Sequence, residues 1–214
     1  GMTAFRDDLA HCGVSVIQVD WKPPVGVSPE SLDIIDDNLA KIDEANAKAL
    51  EIILKGKPVL TGMGVALDTI PGMKKNLILH SGPPITWERM SGPTRGAVIG
   101  ALIYEGMAKT PEEAEALAAS GKIEYAPCHE HDAVGPMAGI VSASMPVFIV
   151  KNETFGNQAY CTLNEGLGKV LRYGAYGDDV VERLKWLETV MYPVLKKAIE
   201  SFEKGIDLKN MIAQ

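Results

Sequence analysis

Cysteine is scarce in this sequence. Three residues, Cys12, Cys128 and Cys161, are scattered over 214 positions, too few and too widely spaced for a disulfide framework. Basic residues are outnumbered as well, 21 against 28 acidic ones, for a net charge of −7. That balance argues against a nucleic-acid partner, which normally meets a basic patch or stripe. No apolar run approaches the roughly 18 residues of a membrane helix. The residues after Met2, Thr3-Ala4-Phe5-Arg6-Asp7-Asp8, lack the basic flank and apolar stretch of a secretory signal. Neither CxxC nor HExxH occurs, so no standard zinc motif is present. These absences together predict a reducing, cytoplasmic setting with no membrane contact.

What is present is ordinary globular composition, 46% hydrophobic and 23% charged, enough for one large domain or two small ones. Residues 14–21 are rich in β-branched side chains and predict a buried strand. Ser28-Pro29-Glu30 predicts a helix start, with Ser28 as cap and Pro29 at the first position. That helix runs to Gly56-Pro58. A short strand with turns is expected over 58–75 and a second strand over 76–80, ending at Ser81-Gly82-Pro83-Pro84. Residues 94–108 are small and apolar, which predicts a closely packed buried helix starting near Gly92-Pro93. Thr110-Pro111-Glu112-Glu113 predicts another helix, capped by Thr110. Strands are expected at 123–126 and over 141–150, the latter interrupted by Pro146, with 157–163 pairing to it. One or two helical turns are expected over 167–173. Residues 178–203 predict one long amphipathic helix kinked at Pro193, with Trp186 in the core. Trp21 and Trp87 beside Pro-rich loops read as structural. The fold class is α/β, a mixed sheet flanked by helices, in two lobes (1–80 and 81–214) meeting near His80.

Three stretches carry candidate chemistry. The first, residues 82–96, joins a strand to a helix. Gly92, Thr94, Arg95 and Gly96 sit where unpaired helix N–H groups favour anions, and Arg95 brings a planar fork suited to phosphate or carboxylate. The plain alternative is a capped turn with a surface arginine. The second, residues 127–139, follows a strand end. His129 is a candidate general acid/base, and Gly135 with Pro136 a possible anion nest. Cys128, His129 and His131 also offer zinc ligands, although C-H-x-H is not a standard zinc spacing. Hydrogen-bonded loop filling explains the histidines equally simply. The third is Asn164-Glu165-Gly166-Leu167-Gly168-Lys169-Val170-Leu171-Arg172. It is not a P-loop, because Val170 stands where Ser or Thr belongs. Gly166, Gly168, Lys169 and Arg172 can nonetheless hold a phosphate or carboxylate, with Glu165 as pairing partner or acid/base. A capped surface helix is the alternative.

Together, the segments LHSGPPITWERMSGPTRGAVIGALIYEGMA, PCHEHDAVGPMAGIVSASMP, NQAYCTLNEGLGKVLRYGAYGDDV and GIDLKNMIAQ resemble the YlbE/AllG family. The first 75 residues match more loosely, around VDWKPP. The resemblance implies a subunit of oxamate carbamoyltransferase in anaerobic allantoin breakdown, interconverting oxalurate plus phosphate and oxamate plus carbamoyl phosphate. It implies two partner subunits, one similar to FdrA. The residues themselves demand no cofactor, and no tightly bound metal is expected of them. Under it, Arg95, Thr94 and the helix N–H groups hold phosphate, Lys169 and Arg172 hold the substrate carboxylate, and His129, with Glu165, moves protons. Two departures stand out: Glu130 replaces the histidine that often follows His129 in the family, and the position of Arg95 can carry lysine. Family members continue well past Gln214. The expectation is therefore a fragment, inactive alone, that self-associates through an apolar face of the 178–203 helix. The contrasting expectation is a non-catalytic scaffold that docks the FdrA-like partner.

Overall fold

The computed structural model describes residues 2–21, 26, 28–135 and 139–213. The chain forms two compact units, Gly1–Leu54 and Lys55–Gln214. The first holds α1 (Thr3–His11) and almost all of α2 (Pro29–Lys55). Ser28 caps α2 as expected, its hydroxyl accepting from the Ser31 N–H at 3.2 Å. The strand expected over 14–21 does not form. These residues join neither sheet, and Val14, Ile17, Val19 and Trp21 are exposed, Ile17 by 87%. A β-branched run favours extended backbone, but a strand also needs an edge to pair with, and the rest of this unit's described structure is helical. The expected α/β pairing of this segment with α2 is therefore absent. Pro23-Pro24 and Pro136 lie outside the described residues.

The second unit is mixed α/β, as the sequence predicts. In chain order it contains β1 (Pro58–Val65), α3 (Ala66–Thr69), β2 (Leu77–His80), α4 (Gly92–Tyr104), α5 (Pro111–Ala119), β3 (Glu124–Pro127), β4 (Ala133–Val134), β5 (Ile140–Val141), β6 (Pro146–Asn152), β7 (Gln158–Thr162), α6 (Asp178–Trp186), α7 (Tyr192–Glu200), β8 (Ile206–Asp207) and α8 (Leu208–Ala213). One sheet has five strands in the order β4-β7-β6-β1-β8, and the other has three in the order β3-β2-β5. Both are mixed: β4 pairs parallel with β7 and β3 parallel with β2, while the other pairings are antiparallel. Strands β1 and β2 belong to this unit, so residues 55–80 fold together with 81–214. The single strand expected over 141–150 is two, β5 in the small sheet and β6 in the large one, because Pro146 cannot donate within a ladder and instead opens β6.

β2 is buried along its whole length, and its alternation shows why. Leu77 and Leu79 join one apolar cluster with Ala66, Val141, Val147 and Tyr160. Ile78 joins a second with Val98, Leu102, Ile140 and Leu184. A strand covered on both faces reads as a continuous apolar run. Helices α4 and α6 contribute to the second cluster. In α4 the two inner glycines are contact surfaces: a Cβ on Gly96 would stand 2.2 Å from the Gly174 carbonyl oxygen, and one on Gly100 would stand 2.3 Å from Leu171 Cδ1. Close packing outweighs the poor helix propensity of glycine here.

The long helix expected over 178–203 is interrupted. A π-helical turn, Leu187–Met191, separates α6 from α7. Pro193 is the physical cause: it has no N–H for the Thr189 carbonyl, and its ring crowds that oxygen, which widens the turn before it. Val180, Val181, Leu184, Leu187 and Ile199 are buried by this chain itself. The broad exposed face on which self-association was expected is thus reduced to scattered residues such as Val190 and Val194. Trp186, expected in the core, is 46% exposed, on the flank of α6 away from Leu184 and Val180. Among the described residues no helix is long and apolar enough to cross a membrane.

Candidate functional site

The loop from β2 leads into α4. Ser91 caps the helix: its hydroxyl accepts from the Thr94 N–H at 3.4 Å and lies 3.0 Å from the Thr94 hydroxyl. Arg95 turns back along the loop. Its Nε donates to the Trp87 carbonyl at 3.2 Å and an Nη to the Glu88 carbonyl at 2.7 Å, and the guanidinium lies 5.3 Å from the centroid of Trp87. Arg95 thus pins the 3-10 turn Trp87–Arg89. Of the two glycines named with it, Gly92 faces open space, whereas Gly96 receives the backbone of Gly174. That contact brings the first candidate stretch against the third.

The third stretch follows β7 and closes on itself. The Glu165 carboxylate accepts from the backbone N–H groups of Leu171 at 2.6 Å and Arg172 at 3.2 Å. It caps the 3-10 turn Leu171–Tyr173. Arg172 donates to Asn164 Oδ1 and, at 2.6 Å, to the Gly166 carbonyl. Its guanidinium is stacked 5.0 Å from the ring centroid of Tyr173. Gly166 and Gly168 both have φ near +90° (92° and 88°), which side chains disfavour, and between them Leu167 is 92% exposed. Lys169 is exposed and borders a more open depression together with Lys109, Asp178 and Asp179. The structure therefore does not bring Lys169 beside Arg172 at one cavity.

Beside this loop lies a cavity of about 330 Å³. Its walls are mainly apolar, from Ile140, Met145, Leu171, Leu184 and Leu187; Asn164, Glu165, Arg172, Thr162 and Cys161 supply the polar groups. Tyr104 also lines it, its hydroxyl 2.8 Å from the Glu188 carboxylate and 3.3 Å from the Ser144 carbonyl. Burial first, and the hydrogen bond to Glu188 second, push the phenol well above its ordinary pKa. Burial raises the Cys161 thiol. The 142–144 turn at the edge of the cavity hangs on Glu105, which accepts from the Ser142 hydroxyl at 2.6 Å and from the N–H and hydroxyl of Ser144 at 2.8 Å each.

The second stretch is divided. Cys128–His131 forms a 3-10 turn after β3. Cys128 is buried, and its thiol is pushed up to about 12 by desolvation. His131 is tied to the Pro71 carbonyl at 2.7 Å, with its ring over Gly72. His129 is exposed and is not part of the cavity wall. Gly135 packs on Cys128 Sγ and on the Gly139 carbonyl, and among the described residues of this stretch only Gly139 reaches the cavity. Among the described residues, no three His, Cys, Asp or Glu side chains are grouped to hold a metal ion. The sequence reading missed Tyr104, Glu105 and His80. His80 had one visible signal: a polar residue closing an otherwise apolar strand, on the core-facing alternation of Ile78.

Comparison with known proteins adds family relations. The family model for the oxamate carbamoyltransferase subunit AllG matches residues 123–214. The Escherichia coli (strain K12) protein whose description is "Uncharacterized protein YahG" is 49% identical over 219 residues, covering 100% of this chain and 46% of YahG. The oxamate carbamoyltransferase subunit AllG of the same strain is 46% identical over 174 residues, 81% of this chain and 42% of AllG. A crystal structure of a conserved protein of unknown function from Enterococcus faecalis V583 matches with a TM-score of 0.77 at 50% identity, covering 81% of this chain and 42% of that one. The chain spans less than half the length of each of these relatives.

Proposed function

We propose, from the premise that this chain belongs to the AllG family, that it is part of a carbamoyltransferase subunit acting on oxalurate and phosphate. In that reaction a phosphate oxygen attacks the carbamoyl carbon of oxalurate. The bond from that carbon to the oxamate nitrogen breaks, and the nitrogen takes up a proton. Two anions must be held side by side, so fixed cations and positioning matter more than covalent help from the protein.

The observation that carries this reading is Arg172. Arg172 is half-buried and lines the cavity, and its guanidinium is held in place by Asn164, Gly166 and Tyr173. An arginine fixed in this way can meet a carboxylate with little further ordering. Under this reading Arg172 holds the oxamate or oxalurate carboxylate. Glu165 shapes the loop that presents it, since both its oxygens already accept backbone N–H groups. Arg95 serves the Trp87–Arg89 turn, and because His129 is exposed after β3 and no part of the cavity wall, the leaving nitrogen takes its proton from water. Lys169 and the start of α4 supply further positive potential for phosphate. An FdrA-like subunit and a third subunit complete the enzyme.

The internal use of Arg95 and Glu165 favours a second reading, a scaffold that docks the FdrA-like partner, with Leu167 on its glycine-flanked tip as an anchor. Turnover of oxalurate by the assembled complex separates the two. Under carbamoyl transfer, Arg172→Ala lowers kcat by about 100-fold with the complex intact. Near-normal turnover with this variant in an intact complex would leave the scaffold reading standing.

A further inference from the structure

We propose that the cavity takes a monocarboxylate with an apolar body, so that the substrate of this chain is an oxamate-type head extended by an alkyl group; this rests on the reading above that Arg172 holds a substrate carboxylate. The cavity measures about 330 Å³, within the range of pockets that enclose organic ligands larger than oxalurate. It is cut into the core of the second unit. Ile140, Met145, Leu163, Leu171, Leu184 and Leu187 line it, and all six also belong to one apolar cluster. They come from β5, the turns beside β6 and β7, the Leu171–Tyr173 turn, α6 and the π-helical turn, so several elements build the apolar wall. Oxalurate makes poor use of such a wall. It is polar along its whole length, and an amide pressed against leucine side chains loses its water without gaining a partner. A methylene chain gains by the same move.

The charged groups set the other end of the ligand. Among the described residues, Arg172 and Glu165 are the only charged side chains on the wall. Both Glu165 oxygens already accept backbone N–H groups. The Arg172 guanidinium donates to two neutral acceptors, Asn164 Oδ1 and the Gly166 carbonyl, which leaves further N–H groups of its fork to donate. A guanidinium without a carboxylate partner, beside an apolar space, favours an anionic head. A second charge on the ligand would meet leucine and isoleucine, so one carboxylate and an uncharged remainder is the class that fits.

The test titrates oxamate and its N-methyl, N-ethyl and N-butyl derivatives into the full chain, and into its assembled complex, by calorimetry. The three derivatives share one head group and one charge and differ only in apolar length. Each added methylene is expected to tighten binding about threefold. Arg172→Gln is expected to weaken every member by about tenfold and to leave the gain per methylene unchanged, and N-butylacetamide, which has no carboxylate, should bind at least about tenfold more weakly than N-butyloxamate. Occupancy has a separate readout, because Cys161 lines the cavity while Cys12 is exposed: saturating N-butyloxamate should slow alkylation of Cys161 about fivefold or more and leave Cys12 unchanged. Binding of oxamate with equal affinities along the series overturns the inference and leaves the carbamoyl-transfer reading standing. A gain with length that leaves Cys161 unprotected puts the ligand outside the cavity and overturns it as well. Equal binding of N-butylacetamide removes both the inference and the role given to Arg172. If none of the compounds binds, the inference falls, and turnover of oxalurate by the assembled complex still decides the reading above.

Discussion

Gly96 on α4 and Gly174 after the 3-10 turn Leu171–Tyr173 meet backbone to backbone, with no room for a methyl group between them: a Cβ on Gly96 would come within 2.2 Å of the Gly174 carbonyl oxygen. This is the contact that joins the start of α4 to the Arg172 loop. Gly96→Ala should cost about 2 kcal/mol or more, since the obstacle is backbone and cannot rotate away. Gly92→Ala, four residues earlier and facing open space, should stay within about 0.5 kcal/mol of the parent. Urea unfolding of the two variants side by side checks this, and equal stabilities would refute the contact.

Glu105 is the second structural hinge point. Its carboxylate serves the hydroxyls of Ser142 and Ser144 and the Ser144 N–H, and Ser142 is buried. Glu105→Ala leaves those donors unpaired, and a loss of about 3 kcal/mol follows from charged hydrogen bonds of this kind. Glu105→Gln keeps the shape and part of the bonding, so its loss should be smaller. Thermal unfolding measures both, and hydrogen exchange at Ser144 should rise in the alanine variant.

The thiols should react in an order set by burial. Cys12 is exposed, Cys161 half-buried and Cys128 buried. Iodoacetamide at neutral pH should label Cys12 first and Cys128 only on unfolding. The alkaline consequence has a definite sign. The folded thiol of Cys128 holds its proton up to about 12, against about 9 when unfolded. The unfolded chain therefore releases that proton first, and this contribution to stability, complete below pH 9, is lost as pH rises toward 12. Cys128→Ala should flatten this decline, and an unchanged slope in denaturant titrations at pH 8 and pH 10.5 would contradict it.

At acid pH the sign reverses. Glu124 lies below the usual carboxylate range, mainly through its hydrogen bond from Lys74 at 2.7 Å. That pair ties the turn before β2 to the start of β3. Its contribution is present above the ordinary glutamate pKa and is lost as pH falls through the lowered one. Because the pair is solvent-exposed, Lys74→Met should produce only a small change in the acid unfolding midpoint, one that shrinks further in high salt.

Much of the second unit was legible from local signals. Ser91 and Thr110 accept the backbone bonds that cap α4 and α5; the apolar run 77–80 is a strand, and β6 and β7 pair antiparallel. Caps, prolines and alternation act within a few residues, so sequence displays them directly. Residues 14–21 show the limit of such signals, since their strand pattern finds no edge to pair with. The roles of Arg95 and Glu165 were equally hidden. Both have the chemistry of a site, and both are committed to neighbouring backbone, Trp87 and Glu88 for one, Leu171 and Arg172 for the other.

The sequence by itself determined the α/β class, most element positions in residues 58–213 and the family, because these rest on short-range pattern and on long shared motifs. Only the tertiary structure decided which polar groups meet. It set Arg172 and Tyr104 at one cavity, left His129 outside it, and buried His80 with a ring nitrogen that has no partner among the described residues. Hydrogen-bond saturation depends on what the rest of the fold places around each atom, and residues as far apart as Glu105 and Ser142 or Tyr104 and Glu188 become neighbours only when the sheets and helices have packed.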